Sequence, residues 1–209
     1  MIIPSPQFLF SHFFFIFASN LLVVGFIDNL KYKYGLYRLR NDFRKPENNA
    51  IACNIADAKS IGIIYNATKI EDFSLVRDFV FKLKKQVPEV IALGYADAKE
   101  LSDFHLQPLE FRFFCKKDLN KYYKPNEDSV DDFVRKQFDI LMDFNLEEKL
   151  PVRFVLASSE ALFKTGRHCE IEPNYYDLMI QCDIDSESAL AQLIEQTEIY
   201  LKMIKPNKF

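Results

Sequence analysis

The segment from Phe138 to Arg167 constrains the fold more than any other part of the chain, because its pattern predicts two strands joined by a helix. An apolar stretch ends at Asp143, an acidic turn follows, a helix is expected to begin at Pro151, and a second strand is expected to end at Gly166-Arg167. Such a βαβ unit builds parallel sheets, and parallel sheets place ligands at the carboxyl ends of their strands. The segment therefore predicts an α/β fold with its functional edge at the carboxyl ends of the strands.

Further strands and helices alternate along the rest of the chain. Short apolar runs predict four more strands, over residues 60–66, 90–95, 110–114 and 176–182. Helical spacing of apolar residues predicts helices over 70–86, 130–137 and 186–204, the last with Tyr200 on its buried face. We therefore predict a single Rossmann-like three-layer α/β domain with a mostly parallel sheet of about five or six strands, preceded by an amphipathic helix.

Composition excludes several function classes. The 209 residues are 49% hydrophobic and 27% charged with a net charge of -3, so the basic surplus typical of nucleic-acid binders is missing and no nucleic-acid partner is expected. The five glycines are scattered and form neither G-x-G-x-x-G nor a Walker loop. The four cysteines form no C-x-x-C pair, which favours free thiols in a reducing compartment over a metal site. We predict no metal, no cofactor and no catalytic residue set.

The first 27 residues differ abruptly from the rest of the chain. Residues 8–27 contain no charged side chain and are long enough to span a bilayer, and basic residues follow at once. Our preferred interpretation is a misassigned translation start, with a cytoplasmic protein beginning near residues 24–27. The alternative is a signal anchor that holds the domain on the cytoplasmic side of the inner membrane. A core helix is the weakest interpretation, because the run has no polar face. The predicted organisation is an apolar tract over 1–27, an amphipathic helix and loop over 28–49, and the α/β domain over 50–209.

The amphipathic helix has its apolar residues at helical spacing and a basic opposite face. Its stripe consists of Ile27, Leu30, Tyr34, Tyr37 and Phe43. The preferred interpretation is a helix that buries this stripe against the domain. The alternative is a helix that binds a membrane surface or a protein partner.

Candidate ligand-binding residues follow the predicted strands. They are Asn66, Thr68, Asp97, Lys116, Lys117, Tyr122, Asp143, Asn145, Gly166 and Arg167. Asn66 or Thr68 is expected to cap the helix that begins near residue 70.

Three regions among these candidates suggest specific chemistry: Asp143, the segment 116–125 and Gly166-Arg167. Asp143 could act as a general base or metal carboxylate, although a turn cap is the preferred interpretation. The basic and aromatic segment over 116–125 could hold an anion or stack on a planar ligand, or it could be a solvated loop. Gly166 could let the backbone turn, and Arg167 could hold a carboxylate or phosphate or pair with an aspartate such as Asp143.

Several stretches of the chain resemble an uncharacterised bacterial family, a domain of unknown function, over about residues 27–205. The most specific are SIGIIYNAT (60–68), DFHLQP (103–108), KKDLNKYYKP (116–125) and FDILMDFNLEEKLPVRFV (138–155). A fainter, partial similarity links FDILMD and FKTGR to the amino-terminal half of lipopolysaccharide heptosyltransferases. The first resemblance implies no activity, and the second implies a shared doubly wound topology.

From the sequence we predict a non-enzymatic cytoplasmic binding or adaptor domain, with an unknown protein or a small anionic ligand as partner. The alternative is a minimal or degenerate enzyme half that uses Asp143, Arg167 and the basic segment to hold a phosphorylated or sugar ligand. A membrane partner is expected only if residues 8–27 are translated as an anchor.

Overall fold

A six-stranded, wholly parallel sheet forms the centre of the protein in a computed structural model that describes residues 27–43, 50–106, 110–170 and 172–205. The strands lie in the order β3-β2-β1-β4-β5-β6. Their bounds are Ser60–Asn66 (β1), Glu89–Ala96 (β2), Phe111–Cys115 (β3), Ile140–Asp143 (β4), Lys164–Arg167 (β5) and Leu178–Ile180 (β6). The α/β class and the parallel sheet predicted from the sequence are confirmed.

Helices cover both faces of this sheet. They are residues 27–42 (α1), Ile70–Leu83 (α2), Glu127–Val134 (α3), Leu150–Ser158 (α4) and Ala189–Met203 (α5). The apolar residues of α2 and α5 share one core with one side of the sheet. Those of α1, α3 and α4 share a second core with the other side. The domain therefore has three layers, as its alternating pattern predicts.

The α2 helix shows why the sequence folds this way. Phe73, Val76, Phe79, Val80 and Leu83 recur at helical spacing, and all five are buried in the first core. Complete burial of one such side chain contributes roughly 1.5–3 kcal/mol. This single apolar face holds α2 against β1 and β2, whose own residues are nearly all buried.

The strand order reverses direction between β1 and β4. The chain leaves β1 towards α2 on one face of the sheet, whereas it leaves β4 towards α4 on the opposite face. The two connections diverge, so a crevice opens outside the carboxyl ends of these two strands. This crevice is where a doubly wound sheet is expected to hold a ligand.

The buried face of α1 differs from the prediction. Ile27, Leu30, Tyr34 and Tyr37 are 44%, 51%, 40% and 62% exposed, so these four residues of the stripe predicted as buried face solvent, whereas Phe43 packs against the second core. The other side of α1 is buried instead, through Gly35 and Leu39 in particular. A Cβ at Gly35 would lie 2.5 Å from the Tyr122 carbonyl oxygen and 2.9 Å from a Leu150 methyl. The helix docks on its small-residue side because only a glycine permits this backbone approach.

Two local predictions about helices are also wrong. Tyr200 in α5 is 49% exposed, and Glu198 takes a buried position instead because Lys82 and Lys202 each donate to its carboxylate at 2.6 Å. The N-cap of α2 is Lys69 and not Asn66 or Thr68; it forms no side-chain capping bond. The carboxylates in the first turn of α2 are well placed to interact with the helix dipole.

Within the described part of the chain, no helix is long and apolar enough to cross a membrane. The apolar tract up to residue 26 and the loop over 44–49 lie outside the described residues. The predictions made for these two segments, and the proposed domain division, therefore stay predictions.

We expect Tyr175→Phe to loosen the attachment of α1. The Tyr175 hydroxyl lies 3.3 Å from the Leu39 carbonyl oxygen and 3.2 Å from that of Phe43, both at the end of the helix. Loss of this donor should lower the unfolding free energy by about 1 kcal/mol and speed amide exchange in α1. The control is Tyr37→Phe, which removes an exposed hydroxyl from the same helix. Equal exchange rates in the two variants would contradict the role of Tyr175.

Candidate functional site

A cavity of about 390 Å³ lies at the carboxyl edge of the sheet, between α1, the loop after β3 and the beginning of α4. Its walls carry four lysines, two carboxylates and three tyrosine rings: Lys31, Lys116, Lys121, Lys149, Asp97, Glu148, Tyr32, Tyr95 and Tyr123. The volume falls within the range of small-molecule sites. It lies over the carboxyl ends of β2 and β3 and beside the loop after β4, on the β2–β3 side of the crevice that the reversal of strand order opens between β1 and β4.

Asp97 organises the charges on one wall. Its carboxylate oxygens lie 2.8 Å from the Lys116 ammonium and 3.4 Å from that of Lys149, and the hydrogen bond from Lys116 holds the pKa of Asp97 below its usual range. The Asp97 amide donates to Thr68 Oγ1 at 2.9 Å, and the Thr68 amide donates to Asn66 Oδ1 at 3.0 Å. Four of the predicted site residues therefore form one connected network across the ends of β1, β2 and β3.

The loop after β3 is built to present Tyr123. Asn120 Oδ1 accepts hydrogen bonds from the amides of Tyr122 and Lys124 at 2.9 and 3.2 Å, which closes a tight turn. Tyr123 sits in this turn with φ 66°, a left-handed conformation that a bulky residue adopts only under constraint from its surroundings. Its ring meets the Tyr32 ring of α1 edge-on at 6.1 Å. The strained turn thus places an aromatic wall against the helix that closes the cavity.

Asp143 lies beside this cavity but is sealed within the protein. It is 3% exposed, and its oxygens accept hydrogen bonds from the Tyr176 hydroxyl at 2.8 Å and from the Asn145 amide and side chain at 2.8 and 2.6 Å. Burial raises the pKa of Asp143 to about 6, although all three donors oppose the shift. The bond from the Asn145 amide is the turn cap that the sequence suggests. Burial outweighs all three donors, the Tyr176 hydroxyl included, and keeps the pKa of this carboxyl well above its usual range.

The role of Gly166 is steric and not conformational. No described glycine has a positive φ, which corrects the idea that Gly166 lets the backbone turn. A Cβ at this position would lie 2.5 Å from the Tyr176 ring. Glycine is therefore required here so that Tyr176 can lie flat on β5 and reach Asp143.

Arg167 pairs with Glu148 and not with Asp143. Its Nη2 lies 3.9 Å from Glu148 Oε1, and Nε of the buried Arg153 lies 3.6 Å from Oε2 of the same carboxylate. Glu148 contributes to the wall of the cavity, and its negative charge also raises the pKa of Asp143. This residue therefore connects the cavity to the buried carboxyl.

Of the ten predicted site residues, Asp97 and Lys116 line the cavity and the other eight do not, with Lys117 and Tyr122 turned to the outside. Lys117 is exposed on the preceding 3₁₀ turn and is not part of the wall. The Tyr122 ring packs against the Tyr34 ring at 4.3 Å and lies on the outer side of α1. Tyr123, not the predicted Tyr122, lines the cavity. The left-handed conformation of Tyr123 in the turn directs its ring towards the sheet.

Sequence reasoning missed other parts of the site. Arg153 had a signal, since it is a lone charge inside the apolar helix LPVRFVL and such a residue must find partners when it is buried. Lys31 and Tyr176 had no such signal in the sequence. The packing of α1 brings Lys31 to this edge, and the packing of the segment after β5 brings Tyr176 there. Over the ranges that the structure describes, no group of three metal-ligating side chains occurs, and Cys53, Cys115 and Cys182 are free thiols.

The chain belongs to the family of unknown function DUF6913, which matches residues 31–204. This confirms the family resemblance seen in the sequence and assigns no activity. No curated protein and no solved structure matches the chain. The fainter similarity to heptosyltransferases therefore stays a prediction.

We expect Asp143 to make the stability of the domain depend on pH. The folded protein holds this proton more tightly than the unfolded chain does, so the stabilising contribution is complete below about pH 4 and is lost as the pH rises through about 6. A pKa increase of this size corresponds to roughly 3 kcal/mol. The unfolding free energy of the wild type, relative to Asp143→Asn, should fall by that order between pH 4 and 7 in denaturant titrations.

The Tyr176→Phe variant provides a second check on this buried carboxyl. It removes a donor that favours the ionised form of Asp143, so the pH at which the stability is lost should move upward. Parallel pH profiles for the wild type and Asp143→Asn would show that Asp143 does not titrate in this range.

Proposed function

We propose that this domain binds a small anionic ligand in the cavity between α1, the loop after β3 and the beginning of α4. The observation that supports it is the composition of the wall: four lysines face two carboxylates there, in a protein with a net charge of -3. A cluster of cations in an acidic protein focuses a positive potential on the cavity. A phosphorylated or carboxylated molecule matches that potential.

The four lysines of the cavity wall differ in whether a nearby carboxylate already balances their charge. Lys116 and Lys149 share Asp97, and Lys31 lies 2.9 Å from Asp28. Lys121 forms no ion pair with any described residue, and its ammonium lies 5.0 Å from the centre of the Tyr122 ring. We therefore assign Lys121 as a main contact for the anionic group of the ligand.

The three tyrosines favour a ligand that also carries a ring. Tyr32 and Tyr123 present ring faces and edges to the cavity, and Tyr95 lies at its base with its hydroxyl 3.4 Å from Asp97. Aromatic side chains of this kind pack on sugar or base rings, while their hydroxyls supply hydrogen bonds. A sugar phosphate or a nucleoside phosphate combines both features.

The proposal assigns binding and no reaction. The carboxyl with a pKa near neutrality, Asp143, is buried away from the cavity wall, and Glu148 stands between them in ion pairs with Arg153 and Arg167. A bound ligand would therefore meet Glu148 and the lysines, not Asp143. This arrangement suits recognition better than proton transfer to the ligand.

We expect Lys121→Ala to weaken ligand binding about tenfold, because a charge-assisted contact is lost. The control is Lys117→Ala, which removes another exposed lysine, four residues away, that lies outside the wall. Native mass spectrometry of protein purified gently from its own cells should show an extra small mass on the wild type and on Lys117→Ala, and much less of it on Lys121→Ala.

The same variants can be titrated with a sugar phosphate and a nucleoside monophosphate, using the thermal unfolding midpoint as the measurement. Ligands that bind the folded state should raise the midpoint of the control more than that of Lys121→Ala. Equal behaviour of the two lysine variants, or no bound mass and no response to either probe, would contradict the proposed site.

A further inference from the structure

The outer face of α1 carries an exposed apolar stripe that the cavity does not use. Ile27, Leu30, Tyr34 and Tyr37 follow one another at spacings of three and four residues, so they lie on one side of the helix. Each is at least 40% exposed, and Tyr37 is 62% exposed. The stripe lies opposite the buried side of the helix at Gly35 and Leu39. It forms an apolar surface that stays largely exposed, although the Tyr122 ring packs against Tyr34 within it.

Cations border this stripe on both sides. Lys33 and Arg40 are seven residues apart and lie along one edge, and Lys31 and Arg38 have the same spacing and lie along the other. The acidic residues of the helix are Asp28, which pairs with Lys31, and Asp42, which pairs with Arg38. Lys33 and Arg40 form no ion pair with any described residue, so one edge of the stripe stays positively charged.

We propose that the outer face of α1 docks on an anionic lipid bilayer. An apolar stripe flanked by cations is the arrangement of a helix that lies in the plane of a membrane, with apolar side chains among the acyl chains and cations at the headgroups. Two of the four stripe residues are tyrosines, which favour the interface between lipid and water. Anionic lipid repels a protein whose net charge is -3, and the cations along the stripe offset that repulsion where α1 would meet the bilayer.

The sequence before α1 favours lipid over a protein partner. Residues 8–26 contain no charged side chain and run directly into Ile27 at the beginning of the stripe. A charge-free run of this length is suited to the interior of a bilayer. If this run is translated and lies in a bilayer, α1 begins at the membrane surface, where the stripe can contact lipid.

The chain contains no tryptophan, which permits a clean test of this docking. Tyr37→Trp places one fluorophore on the stripe. Tyr200→Trp places one at a similarly exposed tyrosine of α5, on the opposite face of the sheet. The full-length variants are mixed with phosphatidylcholine vesicles that contain phosphatidylglycerol and brominated acyl chains, and the fraction that floats with the vesicles is collected. In that fraction the fluorescence of Tyr37→Trp should shift to the blue and be quenched by bromine, whereas the fluorescence of Tyr200→Trp should do neither.

The other outcomes would overturn the proposal. A chain that does not float, or one that floats with Tyr37→Trp no more quenched than Tyr200→Trp, would show that α1 does not meet lipid. Fluorescence of Tyr37→Trp that is already blue-shifted in solution and is not quenched when vesicles are added would show that the stripe is covered by protein. Dilution would then separate a second copy of the chain from residues 8–26 of the same chain, since only the first depends on concentration.

A charge reversal tests the basic edge by itself. Lys33→Glu in the Tyr37→Trp background should raise the lipid concentration for half-maximal quenching by at least about fivefold. Lys85→Glu changes the net charge equally at an exposed position beyond α2, so it should have little effect. Equal effects of the two reversals would attribute the binding to overall charge and reject docking through α1.

Discussion

Two adjacent tyrosine hydroxyls hold together the carboxyl edge of the sheet and the helix α1 beside it. The Tyr176 hydroxyl donates to the buried carboxylate of Asp143 at the end of β4, and the Tyr175 hydroxyl reaches the last carbonyl groups of α1. Tyr176 therefore attaches this short segment to the central sheet, and Tyr175 attaches the same segment to α1. Because α1 supplies part of the cavity wall, the shape of the site depends on these two contacts.

Burial of the Asp143 carboxyl costs free energy, and this cost shifts the pH at which the group ionises. Removing a carboxyl from water destabilises its charged form, and three hydrogen-bond donors offset the effect only in part. The carboxyl therefore changes charge at a pH close to that of many cells. Glu148 interacts electrostatically with that charge, lies in the cavity wall and pairs with two arginines, so a ligand in the cavity and protonation of Asp143 would act on the same residue.

The same helix serves two surfaces that differ in chemistry. The inner side of α1 brings Lys31 and Tyr32 to the cavity, and its outer side exposes apolar and basic residues to the surroundings. A bilayer against the outer side would limit the motion of α1, because a helix with one face in lipid loses freedom to tilt. A ligand on the inner side would limit it as well. The two binding events would then favour each other through a shared element, without direct contact between the sites.

The sequence by itself determined the fold class and which residues lie at the carboxyl edge of the sheet. Apolar runs of strand length and the helical spacing of residues such as Phe73 and Val76 are local signals, and local signals are enough to predict α2 and the parallel sheet. The same logic located Asp97, Lys116 and Asp143, because a residue that follows a strand must lie at the carboxyl edge.

Tertiary structure alone decided which side of each element faces inward. The spacing in α1 identifies an apolar stripe, but the close approach permitted by Gly35 turned that stripe towards solvent. Gly166 likewise leaves space for the ring of Tyr176, ten residues later in the chain. A left-handed turn places Tyr123 at the cavity, where the sequence had predicted Tyr122. The spacing of residues along a helix or strand predicts which of its faces is apolar. Which face is buried depends on contacts with residues distant in the sequence, and no local pattern predicts those contacts.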